Sequence, residues 1–246
     1  MTTRKEPKNR RAFSKKVDER GKLELAIFDM DGVLVDNVAY EEKNLEYIAD
    51  ALVEQEDISY VEAQDRLDSI ALKYRGRREA HDWRILCREL GLGNVWYDAH
   101  LGNLKFLAII PGIHELLESL DGKVRMVIGS DAIRPVVEIK LAYTGLKKHF
   151  EKIFSQDDVD SYKKSPDFFE RVLREMGVEK KSAMYIGNRP ERGIDTAQRL
   201  GLYTILIPHP EYLQLQEKIP ADVQPDLETK DLEEVRDFIL KLAKKS

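Results

Sequence analysis

The sequence predicts an α/β fold built on a parallel sheet, with an all-helical insertion early in the chain. Three observations carry that reading. Short apolar runs bounded by charged or turn residues occur at 23–28, 124–128, 152–154, 183–186 and 203–207; their length suits buried strands. Amphipathic helical stripes lie between them, and strands alternating with helices imply a parallel sheet with right-handed crossovers. The alternation fails between Asn37 and Ile110, where only helical periodicity is visible.

Along the chain, the first strand runs into Asp29. The insertion then shows three apolar stripes: Leu45, Ile48, Ala49 and Leu52; Tyr60, Ala63, Leu67 and Ile70; and Trp83, Leu86, Cys87 and Leu90. Spacings of three and four place each set on one helix face. Asp57-Ile58-Ser59 and the run Gly91-Leu92-Gly93-Asn94 break the helices apart, and Pro111-Gly112 marks the return to the sheet. Further stripes at Ile113, Leu116, Leu117 and Leu120, at Phe168, Phe169, Val172, Leu173 and Met176, and at Leu232, Val235, Ile239 and Leu242 supply helices that cover it. The expected organisation is a basic, poorly ordered arm over 1–22, a core formed by 23–36 and 111–246, and a helical insertion over 37–110.

Composition narrows the function classes. Of 246 residues, 42% are apolar, enough for a sizeable core. The single cysteine, Cys87, excludes a disulfide framework or a cysteine-rich metal site. No apolar run is long enough to span a membrane and no signal-peptide pattern follows the basic N-terminus, so a cytoplasmic location is expected. The formal charge of −5 is uneven: residues 1–22 hold nine basic and three acidic residues, so the remainder carries −11. An acidic body argues against a nucleic-acid-binding domain, although the arm leaves such contacts open.

In open α/β sheets ligands bind beyond the carboxyl ends of the strands. The first strand ends in Phe28-Asp29-Met30-Asp31-Gly32-Val33-Leu34-Val35-Asp36. Two carboxylates one residue apart divide labour: one attacks phosphorus and the other protonates the leaving group. A divalent cation must accompany them, because a carboxylate approaching a phosphate dianion is otherwise repelled. Asp-x-Asp-Gly alone is equally compatible with a plain Asp-rich turn. Three more strand-end segments add to it: Val127-Ile128-Gly129-Ser130-Asp131, Lys163-Lys164-Ser165-Pro166-Asp167, and Gly187-Asn188-Arg189-Pro190-Glu191-Arg192-Gly193. Ser130 or Asp131 could equally cap the following helix.

Taken together, these strings resemble the signatures of the haloacid dehalogenase-like superfamily, over nearly the whole chain except the arm. The resemblance implies a Rossmann-like three-layer sandwich with a small helical cap inserted after the first motif, as in phosphoglycolate phosphatases and β-phosphoglucomutases. It implies that Asp29 is a nucleophile forming an aspartyl-phosphate, and that Asp31 is the general acid and then base, its main-chain carbonyl also binding Mg²⁺. Ser130 would bind a phosphoryl oxygen. An Asp at position 31 favours phosphoryl transfer over dehalogenation. Counting back from Pro166 gives Lys163 as the lysine that neutralises phosphate and nucleophile, with Lys164 replacing the proline the family often has there. Asn188 stands where a metal-binding Asp is usual, so the metal set becomes Asp29, Asp31 and Asn188, a weaker site; Glu191 or Asp195 could add a carboxylate.

In the cap, Arg75 and Arg77 flank a glycine and could meet an anionic substrate, against the alternative of a solvated connection. His81, His100 and His114 read as structural or exposed, and Trp83 and Trp96 as cap core. The expectation is a Mg²⁺-dependent phosphatase for a small phosphorylated metabolite, as a monomer or homodimer. A phosphomutase and a non-catalytic binding protein are the competing readings.

Overall fold

The structure is a computed structural model that describes residues 20–159, 164–208 and 223–244. Its centre is a six-stranded sheet in the order β5-β4-β1-β6-β7-β8, with every pairing parallel. The strands are β1 (Leu25–Phe28), β4 (Arg125–Gly129), β5 (Lys152–Phe154), β6 (Ala183–Gly187), β7 (Tyr203–Leu206) and β8 (Leu227–Glu228). All four residues of β1 are fully buried, the signature of a strand covered on both faces. Alternate residues face opposite layers. Ala26 and Phe28 pack with the helices Ile113–Leu120 (α5) and Leu232–Ala243 (α9). Leu25 and Ile27 pack with Pro166–Met176 (α7) and Ile194–Leu200 (α8). Burying each of the Leu25, Ile27 and Phe28 side chains contributes about 1.5–3 kcal/mol. The three-layer sandwich expected from the sequence is thus present.

Four helices form the cap: α1 (Val38–Glu56), α2 (Tyr60–Lys73), α3 (Trp83–Glu89) and α4 (Val95–Gly102). Asp57 closes α1 in the left-handed conformation, and the Ser59 hydroxyl accepts from Glu62 N to start α2. The cap core gathers Ile48, Leu52, Leu67, Cys87 and Trp96, together with Ile133 and Val136 at the start of the core helix α6 (Arg134–Thr144). Burial pushes the Cys87 thiol up to about 11, so it behaves as an inert apolar residue. Leu45 and Tyr60 do not bury with their stripes; they are exposed and line a cavity below the cap.

Two features depart from the sequence expectation. The interval 37–110 contains a strand after all: β3 (Ala108–Ile109) pairs antiparallel with β2 (Val35–Asp36), tying the chain's exit to the cap against its return. Two residues per strand carry no visible periodicity, which is why Ala108–Ile109 reads as part of the helical insertion. Arg20, assigned by composition to the arm, belongs with the core: it donates to Asp226 and to Leu202 O and lies over the Tyr203 ring. Residues 1–19 of the arm lie outside the described residues.

Candidate active site

Asp29, Ser130, Asp131 and Asn188 follow directly on β1, β4 and β6, three adjacent strands. They meet in one cavity of about 730 Å³ between core and cap, within the size range of small-molecule sites. Asp29 is buried, and both its oxygens are engaged. Oδ1 accepts from Met30 N at 2.9 Å; Oδ2 accepts from Lys164 Nζ at 3.1 Å and from the Tyr185 hydroxyl at 3.0 Å. Ser130 is buried, and its Oγ accepts from Ala132 N at 3.1 Å, which leaves its own proton available to donate into the cavity.

Lys163 lies outside the described residues. Among the described residues, the amine that reaches the nucleophile is that of Lys164, which is 1% exposed and also lies 3.2 Å from Asp131. The local chain explains its placement. Ser165 is the N-cap of α7, accepting from Phe168 N, and Pro166 occupies the first turn. Lys164 therefore enters at the strand ends immediately before the helix. Burial works against its charge, but Asp131 and Asp29 outweigh burial and raise its pKa. Burial raises the pKa of Asp29, with Lys164 opposing.

Asp31 carries a second buried amine. Lys140, on α6 and 1% exposed, donates to Asp31 Oδ1 at 2.6 Å and lies 3.9 Å from Glu41 of the cap. Neither Lys140 nor Tyr185 stood out in the sequence. A lysine inside an amphipathic helix reads as solvated, and a tyrosine inside an apolar strand reads as core. Asp131 was visible as a strand-end residue, but only as a helix cap.

The Asn188 amide nitrogen donates to the Asp31 carbonyl oxygen at 3.0 Å. The Asp29 carboxylate, the Asp31 carbonyl and the Asn188 amide oxygen are the hard donors Mg²⁺ takes, and the hydrogen bond sets the Asn188 side chain, through its nitrogen, beside the Asp31 carbonyl. The set fits Mg²⁺, with one formal negative charge. Among the described residues no group of three Asp, Glu, His or Cys side chains forms a metal cluster. Glu191 and Asp195 are outside the cavity lining, and the Asp195 carboxylate accepts from its neighbour Thr196.

The cavity walls differ in charge. Among the described residues, every lysine and arginine lining it comes from the core: Lys140, Lys164, Arg189 and Arg192. The cap contributes Glu41, Glu42, Glu46, Asp65, Asp68, Glu79 and Asp82 and no basic residue beyond His81. Arg75 and Arg77, expected to greet an anionic substrate, are exposed and outside the lining; they flank the turn between α2 and the 3₁₀ segment Arg78–His81. His81 lies 2.6 Å from Arg192, and burial, then the Arg192 charge, lowers its pKa to about 4.

The family model for haloacid dehalogenase-like hydrolases matches residues 26–207. The chain belongs to this family. It is a hydrolase of the haloacid dehalogenase-like type. A curated relative, glyceraldehyde 3-phosphate phosphatase of Methanopyrus kandleri, is 24% identical over 236 residues, covering 90% of this chain and 99% of its own. A haloacid dehalogenase-like phosphatase of Thermococcus onnurineus superimposes with a TM-score of 0.77 at 23% identity, covering 88% of this chain and 98% of that one. A hydrolase of Bacillus subtilis, solved with magnesium, gives a TM-score of 0.63 at 18% identity, over 89% and 99% of the two chains. Mg²⁺ use is thus represented among proteins of this fold. Among the described residues, no helix of this hydrolase is long and apolar enough to cross a membrane.

Proposed function

We propose that this hydrolase is a phosphatase for small phosphate monoesters whose organic part is uncharged or cationic. The observation that carries the proposal is the Asp29 carboxylate at the end of the central strand, held by Lys164 and sharing one cavity with Asp31 and Ser130. Asp29 attacks phosphorus while the bond to the alcohol oxygen breaks, and Asp31 supplies the proton to the departing alcohol. Water then attacks the aspartyl-phosphate, its proton passes to Asp31, and Asp29 leaves as a carboxylate. Ser130 and Lys164 hold the phosphoryl oxygens, and Lys140 fixes the Asp31 carboxylate. Asp29, the Asp31 carbonyl and Asn188 would hold a Mg²⁺ ion, which when bound supplies the positive charge that offsets repulsion between nucleophile and phosphate.

The substrate class follows from the walls. The core side offers amines and guanidinium groups to the phosphate. The cap side is acidic, so a second acid on the substrate meets like charge, whereas hydroxyl or ammonium groups do not. The phosphatase names among the relatives support a phosphomonoester.

A panel of phosphate monoesters of matched size, ending in carboxylate, hydroxyl or ammonium, assayed with millimolar Mg²⁺, tests both parts. Turnover should be abolished by Asp29→Asn, and kcat/KM should be lowest for the carboxylate. No turnover across the panel would refute the phosphatase reading. Preference for the carboxylate would refute the substrate class alone.

A further inference from the structure

We infer that Tyr185 is a further catalytic residue, whose hydroxyl stabilises the Asp29 carboxylate as it leaves phosphorus in the second half of the reaction. The inference rests on the phosphatase reading and adds to it a division of labour between the two oxygens of the nucleophile. Among the described residues, Oδ2 accepts from two side-chain donors, Lys164 and Tyr185, while Oδ1 accepts only from Met30 N. The less encumbered oxygen is the better nucleophile, so Oδ1 attacks, and Oδ2, the oxygen that would then be left to a bound Mg²⁺ as well, becomes the carbonyl oxygen of the aspartyl-phosphate.

When water attacks phosphorus, the Oδ1–P bond breaks and its electron pair returns to the carboxylate. Negative charge then spreads onto Oδ2, where the two donors wait. Donors placed where charge develops, in a site shielded from water, lower the barrier of that step. They do not help the first step, in which the same carboxylate loses its charge. Tyr185 thus acts on hydrolysis of the intermediate more than on its formation.

The surroundings show that the position is built. Tyr185 is 1% exposed, and burial followed by the charge of Asp29 raises its pKa well above the ordinary value, so it remains a donor. Its ring packs edge-on against Phe169 at 5.2 Å between centroids, and Lys164 Nζ lies 5.8 Å from the ring centre. Room for the ring is made by two glycines. A Cβ on Gly187 would lie 2.7 Å from the ring, and one on Gly193 would lie 2.6 Å from it. Both distances are far inside van der Waals contact, so neither position takes a side chain while the tyrosine stands there.

Tyr185→Phe tests the inference, because it keeps the ring, its packing and the contact with Lys164 and removes only the hydroxyl. With a substrate that the wild type hydrolyses, kcat should fall about tenfold or more. KM should fall in parallel, leaving kcat/KM nearly unchanged, because the first half-reaction is spared. Rapid quench should then reveal a burst of alcohol and an accumulated phosphoenzyme. A merely structural tyrosine would lower kcat/KM without accumulation, and that result, or an unchanged kcat, would overturn the inference. A wild type inactive on every monoester would refute the phosphatase reading and this step with it. Activity in the wild type with no accumulation in the variant would refute the step alone.

Discussion

At Asn188 one atom's exchange, nitrogen for the second oxygen of an aspartate, removes a formal charge from the proposed metal site. The amide nitrogen donates to the Asp31 carbonyl, so the side chain stays beside that oxygen while its electrostatic pull on a cation is reduced. Restoring the carboxylate with Asn188→Asp should lower the Mg²⁺ concentration for half-maximal activity by about tenfold, the equivalent of about 1.4 kcal/mol of binding. A Mg²⁺ titration of wild type and variant reads this directly; a wild type already saturated at micromolar metal would refute the weak-site idea. Asn188 could be singled out from sequence because it follows an apolar run at a strand end, as do Asp29, Asp31 and Ser130. Spacing from Pro166 points to Lys163, which lies outside the described residues, and gives no sign of Lys164. What places it is the N-cap at Ser165 and the buried pairing with Asp29 and Asp131, contacts made across 135 residues of chain in the first case. Lys140 and Tyr185 were illegible for the same reason: their partners are distant in sequence, and their own elements look ordinary.

Among the elements, helix α4 carries a buried group that makes the cap sensitive to acid. His100 is 1% exposed; its Nδ1 lies 2.7 Å from the Tyr40 hydroxyl and 2.9 Å from Asn44 Nδ2, and Trp83 packs edge-on at 4.9 Å. Burial, then the charge of Lys140, lowers its pKa to about 3. The unfolded chain takes up a proton near the ordinary value of about 6.5, whereas the folded cap resists it. Stability is therefore complete above that value and declines as pH falls, until the folded imidazole itself titrates. By pH 5 the loss amounts to about 2 kcal/mol from this residue. His100→Asn keeps an acceptor near Nδ1 and removes the titration. Urea unfolding at pH 7 and pH 5 should show a smaller gap between the two pH values in the variant, even if it is less stable at both. An equal gap would mean that His100 does not set the acid limit. The cap helices themselves were legible from their apolar stripes. The exposed members of those stripes, Leu45 and Tyr60, which line the cavity, are not separable from core by periodicity, since the same spacing serves either purpose.

Over the whole molecule, cap and core are joined in two places by different means. One joint is covalent: the β2–β3 pair carries the chain out and back. The other is a set of contacts between the cap segment 78–84 and the core. Arg84 Nη2 donates to Asp157 Oδ1 at 2.6 Å, Gln156 Nε2 donates to Arg78 O at 3.0 Å, and Arg192 meets His81. No sequence pattern pairs residues 73 positions apart, so this clasp emerges only from the fold. Arg84 is 38% exposed in its side chain, and pairs of that kind contribute about 0–1 kcal/mol to stability. Where a cap closes over a substrate their effect is larger, because closure sums a few such contacts against one hinge. Arg84→Ala leaves the main-chain bond from residue 84 N to Asp82, so α3 keeps its N-cap. Unfolding free energy should change by less than about 1 kcal/mol, while KM rises several-fold and hydrogen exchange accelerates at 78–84 and 156–158. If KM and exchange both stay at wild-type values, the clasp does not govern closure, and the short β2–β3 pair together with the shared apolar contacts at Ile133 and Val136 must hold the cap in place.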